Sequence, residues 1–355
     1  MASIKYSPVL DGLRGISILA VLITHYGLGV SFGGQFGVSL FFFISGLLIT
    51  RILMAEYQIK QTISLKDFYI KRILRLYPAL LLMLLVTYLI TLFMNCSLQK
   101  IDLLASLFYF MNFKIAYWDI NATICSNMIN PLWSLSVEEH FYLFFPLLCL
   151  IYLRNRRLFA KLLIGLITLA LLVRLYYSFI FPDNVSTRKM IYILTQTRFD
   201  SILFGCLAAI FLQSKKSERW IAILSKPICY FLAATVLYIS FKIPEKYFAD
   251  GFSYSVQGVC HILLVMPLIA GAELSFIKKL LTQKWLVLIG KMSYSFYLFH
   301  NIGISLAIYF VGKKNLSPKW LAVAIVPGIT LALISYFLVE RNMIKFRKKF
   351  GSSAT

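Results

Sequence analysis

The chain has 355 residues, 60% of them apolar, and a mean hydropathy of +0.79. Soluble domains are nearer half apolar and do not carry repeated apolar runs of about 20 residues, so an ordinary soluble protein is excluded. Lys and Arg outnumber Asp and Glu by 36 to 14, for a net charge of +22. That excess does not point to nucleic acid, because the basic residues sit in short loops between apolar runs, as the positive-inside rule expects. Some are placed to meet anionic lipid headgroups or a phosphorylated substrate.

In chain order, ten spanning helices are expected, over 12–31, 36–54, 76–94, 133–152, 158–181, 196–213, 220–241, 252–272, 292–311 and 319–339. The first is not read as a cleavable signal. Asp11 and Arg14 lie at its start, no small-residue cleavage site follows, and a second span comes at once. The apolar segment 103–118 is short and contains Asn112 and Lys114. Making it a span would put Arg154, Arg156 and Arg157 outside, so a re-entrant or interfacial helix fits better, with both termini cytoplasmic. The external loop 95–132 then holds Cys96 and Cys125, which a disulfide could join in an oxidising compartment. Two free thiols are the readier alternative. No separate soluble domain is expected, only one polytopic membrane domain. The six cysteines make no CxxC pair and the four histidines no His-x₃-His pair, so no metal site is expected.

Ionisable side chains inside spans cost several kcal/mol, which makes each one a candidate for function. Arg14 and His25 are eleven residues apart, almost three helical turns, so both leave one face of the first span, roughly 16 Å apart along its axis. An imidazole at that depth can serve as a general base. Spacing alone weighs this evenly against a packing histidine. Phe42–Gly46 places Ser45 and Gly46 in the second span, where close helix packing is the bland explanation. Arg72 and Arg75 share a helix face and form a fork suited to phosphate, although a positive-inside anchor is the simpler reading of the residues alone.

Further along, Trp133, Ser134, Glu138, Glu139, His140 and Tyr142 enter a span from its external end. Glu138 and Glu139 point about 100° apart. One is therefore expected to face the interior and the other a headgroup or loop. A hydrated helix start explains one carboxylate well, but two carboxylates plus His140 poorly. Arg198 and Asp200 suggest a structural ion pair. Tyr294 and His300 lie in the ninth span, His261 and Arg174 are also intramembrane, and Glu340–Arg341 reads as interfacial.

Jointly these stretches resemble the membrane-bound acyltransferase-3 family. The residues that carry the resemblance are Leu10–Gly15 with His25, Gly37–Gly46, Arg72–Pro78, Trp133–Glu138, Arg198–Asp200, and Ser293–Tyr294 through His300. They run in the family's order across nearly the whole chain. Glu340-Arg341-Asn342 departs from the family's frequent Glu-Arg-Pro, which bears on the last helix. No fused extracytoplasmic hydrolase-like domain is expected here.

The resemblance implies an acyl-CoA donor, usually acetyl-CoA, and an acceptor on a bacterial surface glycan, reached through an undecaprenyl-linked or polymeric sugar. It maps His25 and Glu138 onto the catalytic positions, and Arg14, Arg72 and Arg75 onto the donor site. Asp11, Ser45, Trp133, Ser134, Glu139, Tyr142, Arg198, Asp200, Tyr294 and His300 are expected to support substrate or site. The expectation is O-acetylation of a lipopolysaccharide O-antigen or capsule-type polymer at the inner membrane. Acylation of peptidoglycan, a lipid or a secondary metabolite is the runner-up. A proton-coupled transporter is the competing class, since buried His, Arg and Glu also build proton relays.

Overall fold

The computed structural model describes residues 6–29, 32–118, 123–214, 216–271 and 274–347, and every regular element among them is a helix. The first three are long: α1 (Pro8–Tyr26), α2 (Gly33–Lys60) and α3 (Leu65–Phe93). Three short helices follow, α4 (Lys100–Leu107), α5 (Met111–Tyr117) and α6 (Ile124–Asn127). Next come α7 (Leu132–Arg154), α8 (Arg156–Ile180), α9 (Val185–Ile193) and α10 (Thr195–Leu212). Then α11 (Ser217–Leu224), α12 (Pro227–Ser240) and α13 (Ser253–Ala270) lead through α14 (Ser275–Leu281) and α15 (Lys284–Lys291). The C-terminal part is α16 (Ser293–Val311), α17 (Pro318–Ser335) and α18 (Arg341–Arg347), the last two joined by a π-helical turn over Tyr336–Glu340.

Among the described residues, eight helices are long and apolar enough to cross a membrane. Two bent pairs, α9 with α10 (42°) and α11 with α12 (79°), bring the number to ten if each pair is one span. The protein is therefore an all-helical multi-pass membrane protein. Its apolar residues sort by solvent. Leu85, Leu89 and Phe93 of α3 and Leu169 and Leu172 of α8 face outward, where lipid replaces the water that would penalise them. α2 and α16 are the inner helices: 67% of the most apolar window of each is buried, against 22% for α8.

Small residues set a close contact between α2 and α10. Gly46 lies against the backbone of Ile202, and a Cβ there would sit 2.9 Å from the Ile202 carbonyl carbon. Reciprocally, a Cβ on Gly205 would meet Phe43 and Leu47 of α2. The packing explanation for Gly46 holds, and it draws α10 onto α2.

The segment 103–118 does not span. It is split between α4 and α5, eight and seven residues long, and so roughly 12 and 10 Å. The Asn112 amide and the Lys114 ammonium both find acceptors inside the protein. Asn112 Nδ2 donates to Thr195 Oγ1 at 2.8 Å, and Lys114 Nζ pairs with Asp102 at 2.7 Å, both nearly inaccessible. Cys96 and Cys125 are joined as a disulfide across 29 residues, so the free-thiol alternative falls. That bridge ties the end of α3 to α6. α3 begins well ahead of the span expected from 76 and takes in the run 65–75. Ser64 accepts from the Asp67 N–H at 3.3 Å and starts α3 early, so Arg72 and Arg75 stand on rigid helix.

Candidate functional site

Five helices surround one polar cavity of about 100 Å³. α1 contributes Arg14, α2 Ser45, and α3 Arg72 and Arg75; α16 contributes Ser293, Tyr294 and Tyr297. From α7 come Ser134, Glu138 and Tyr142, spaced by four residues, which keeps them on one stripe of that helix. Apolar residues of α2, among them Phe41, Phe42 and Ile44, complete the wall.

The charged groups are fixed by one another. The Arg72 guanidinium lies over the Tyr142 ring, 4.0 Å from its centroid, with Phe68 at 5.7 Å on the same group. Tyr142 donates its hydroxyl to Glu138 Oε2 at 3.1 Å, and Ser45, Arg72 and Arg75 also face that carboxylate. Arg14 faces Arg75 and the carboxylates of Asp11, Glu138 and Glu340. Two guanidiniums turned into one cavity repel, and an anion entering between them relieves that repulsion while accepting charge-assisted hydrogen bonds. At the far end Ser134 Oγ donates to the Tyr297 hydroxyl (2.7 Å), which donates to the Pro131 carbonyl (3.1 Å). Tyr294 donates to the Leu76 carbonyl at 2.9 Å and locks α16 to α3.

His25, in the last turn of α1, lies beyond that end. Its Nδ1 is 2.8 Å from Nε2 of His300, although 275 residues separate them in sequence. His300 is buried, and its Nδ1 is 2.7 Å from the Tyr297 carbonyl. The packing partner that spacing alone allowed for His25 is thus a second histidine.

Of the expected site residues, Arg14, Ser45, Arg72, Arg75, Ser134, Glu138, Tyr142 and Tyr294 share the cavity, with His25 and His300 paired just past it. Asp11 is off the wall, accepting from the Tyr6 hydroxyl at 2.7 Å. Trp133 packs on Phe42 and Tyr192 behind the wall. His140 points away, its Nδ1 2.7 Å from Thr195 Oγ1.

Three expectations need correction. Glu139 does not face a headgroup or loop. It is half-buried off the cavity, and the charges it meets are those of Arg72, Glu138 and Arg75. Arg198 and Asp200 are not each other's partners. Asp200 pairs with Arg174 at 2.8 Å, while Arg198 donates to Ser39 Oγ at 3.0 Å and lies over the Tyr254 ring. Two residues along α10 turn the side chains about 200° apart, which sends them to different neighbours. Glu340 is not simply interfacial either. It accepts a hydrogen bond from Ser295 and faces Arg14 and Arg75. Its position at the end of an apolar span was the signal that marked it. Among the described residues no group of three His, Cys, Asp or Glu could hold a metal ion.

A multi-pass helical bundle with an arginine-lined cavity and an intramembrane histidine defines a class of membrane proteins able to hold an anionic substrate beside a base. The chain belongs to the acyltransferase-3 family: a family model described as an acyltransferase domain matches residues 8–339. It is similar to the peptidoglycan O-acetyltransferase OatA of Listeria monocytogenes, at 28% identity over 98% of this chain and 58% of the relative. The O-acetyltransferase OatA of Staphylococcus aureus is 31% identical, over 97% of this chain and 58% of the relative. The chain thus spans 58% of the length of these curated relatives. No solved structure matches significantly.

Proposed function

We propose that this chain moves an acetyl group from acetyl-CoA to a hydroxyl of a cell-wall glycan, with both termini and the arginine mouth on the cytoplasmic side of the bacterial cytoplasmic membrane. The observation that carries the reading is the single cavity in which Arg14, Arg72 and Arg75 from two helices stand opposite Glu138, with His25 beyond its inner end. These are also the positions at which the chain resembles its family. Arg72 and Arg75 bind donor phosphates, and Arg14 also steadies the polarised thioester carbonyl. The donor set fits, since three guanidiniums are available while no metal group is needed to hold a phosphate.

The acceptor hydroxyl approaches from the outer side. Its oxygen bonds to the acyl carbon as the carbon–sulfur bond breaks; His25 takes the hydroxyl proton and returns it to the leaving thiolate. Glu138 orients and charges the donor end of the site. Of the acceptors considered from sequence, peptidoglycan is supported by the name of the Listeria relative, and nothing among the relatives supports lipopolysaccharide. A transporter has no support from the family either.

The test is transfer of labelled acetyl from acetyl-CoA to peptidoglycan fragments by proteoliposomes. We expect ester-linked label with the unaltered protein and a loss of about 10²–10⁴-fold with His25→Ala. Undiminished transfer in that variant defeats the base assignment. Label appearing on lipopolysaccharide sugars but not on peptidoglycan defeats the acceptor assignment.

A further inference from the structure

The His25–His300 contact fixes more than a position, because two hydrogen bonds in series determine where the protons are. The Tyr297 carbonyl can only accept, so the 2.7 Å contact requires a proton on His300 Nδ1. A neutral imidazole carries one ring proton, which leaves His300 Nε2 with a lone pair. That lone pair is 2.8 Å from His25 Nδ1. The two rings are parallel to within 1°, with centroids 4.9 Å apart. Rings stacked face to face cannot bring atoms closer than roughly 3.5 Å. The nitrogens therefore meet edge to edge, in the geometry of an N–H aimed at a lone pair.

We propose that His300 is a positioning residue that sets the tautomer of His25: Nδ1 of His25 is the protonated nitrogen, and Nε2 is the one left to take a proton. The proposal rests on the reading of His25 as the general base and adds which nitrogen acts and what holds it so. A carboxylate commonly fills this place behind a catalytic histidine. Here a second imidazole fills it, neutral and polarised by a backbone carbonyl.

Tyr297 couples the arrangement to the cavity. Its carbonyl orders His300, and its hydroxyl sits in the cavity wall between Ser134 and the Pro131 carbonyl. One residue of α16 thus anchors both the wall of the donor cavity and the pair beyond it. The backbone at His25 is held as well, since Lys314 Nζ donates to its carbonyl at 2.9 Å. When His25 gains a proton at Nε2, it becomes a cation whose Nδ1–H bond to His300 strengthens, which stabilises the charged intermediate without moving a second proton.

The chain has only four histidines, so the ring nitrogens can be read directly by solid-state nitrogen-15 NMR of histidine-labelled protein in liposomes, with His25→Ala and His300→Ala for assignment. For both members of the pair we expect protonated-type signals at Nδ1 and lone-pair-type signals at Nε2. In the transfer assay, His300→Ala should lower kcat by about 100-fold while the KM for acetyl-CoA changes by less than about twofold. His300→Gln, whose Oε1 can accept from His25 Nδ1–H, should recover about tenfold over His300→Ala. A protonated Nε2 on His25 overturns the proposal, as does a His300→Gln variant that folds but is no better than His300→Ala. Full turnover in His25→Ala would instead sink the base assignment, and the nitrogen signals would still report the tautomer independently.

Discussion

Arg174 and Arg72 are both guanidiniums enclosed by helices, and they are held in opposite ways. Arg174, on α8, donates to the carbonyls of Gly251 (2.9 Å) and Thr197 (2.7 Å), to Ser255 (2.8 Å), and pairs with Asp200. Protein acceptors surround it, and it is fully buried. Arg72, on α3, lies flat on Tyr142 with its edge toward a cavity that Arg14 and Arg75 also line. The first arrangement uses up the donors of the guanidinium to tie three elements together. The second keeps donors for something that enters. Both carry the same charge among packed helices, Arg174 fully buried and Arg72 partly so, and the inventory of acceptors separates a structural arginine from one set for binding.

That contrast can be broken by experiment. The largest expected effect is on Arg174→Met, which strands Asp200 in the interior. Removing one member of a buried pair costs about 3–5 kcal/mol, and the melting temperature in detergent should fall steeply. A variant that melts with the unaltered protein would mean that Arg174 is not the structural member of the comparison. Next in size is the bridge that ties α3 to α6. Changing Cys96 and Cys125 together to Ser should cost about 2–4 kcal/mol, read as an earlier thermal transition that reducing agent reproduces in the unaltered protein.

Arg72→Lys should act on the other side of the comparison. Lysine keeps the charge but loses both the fork and the flat contact with Tyr142. We expect the KM for acetyl-CoA to rise about tenfold, equivalent to about 1.4 kcal/mol, with the melting temperature almost unmoved. Loss of folding without a change in KM would reverse the roles assigned to the two arginines.

The smallest effect belongs to a half-exposed ion pair at the start of α9. Arg188 donates to both oxygens of Asp183, at 2.9 and 3.1 Å, but both side chains are nearly half exposed. The hydrogen bond from Arg188 holds the Asp183 carboxyl below its usual range. A depressed carboxyl adds stability above its unfolded pKa and gives it up as pH falls through the folded value. Water and salt screen the pair, so Asp183→Asn should shift neither the melting temperature nor its acid dependence measurably. A clear acid-side shift in the unaltered protein that vanishes in Asp183→Asn would show this surface pair to matter more than screening allows.

Periodicity made much of this molecule legible. Apolar runs of membrane length marked the spans, and eleven-residue spacing put Arg14 and His25 on one face of α1. Three-residue spacing likewise put Arg72 and Arg75 side by side. The failures were of another kind. Arg198 and Asp200 looked like partners because they are neighbours in sequence, yet their partners come from α2 and α8. Of Glu138 and Glu139, one was expected to face the interior and the other a headgroup or loop, because a helix cannot aim two successive residues one way. In the fold, α3 covers that side of α7 and supplies arginines there too. Glu340 was set at the interface because α17 ends near it, while α16, α1 and α3 in fact bring Ser295, Arg14 and Arg75 around it.

The sequence by itself determined that this protein lives in lipid, where its apolar runs of membrane length fall, and which side chains too costly to bury were buried regardless. Those properties are local, following from hydropathy over one span and from angles along one helix. The tertiary structure alone decided which buried charges are saturated and which face a cavity. It also decided that His25 meets His300, and therefore which of its nitrogens holds the lone pair. Helices far apart in the chain pack according to shape, and a hydrogen bond between residues 275 positions apart leaves no periodic trace in either.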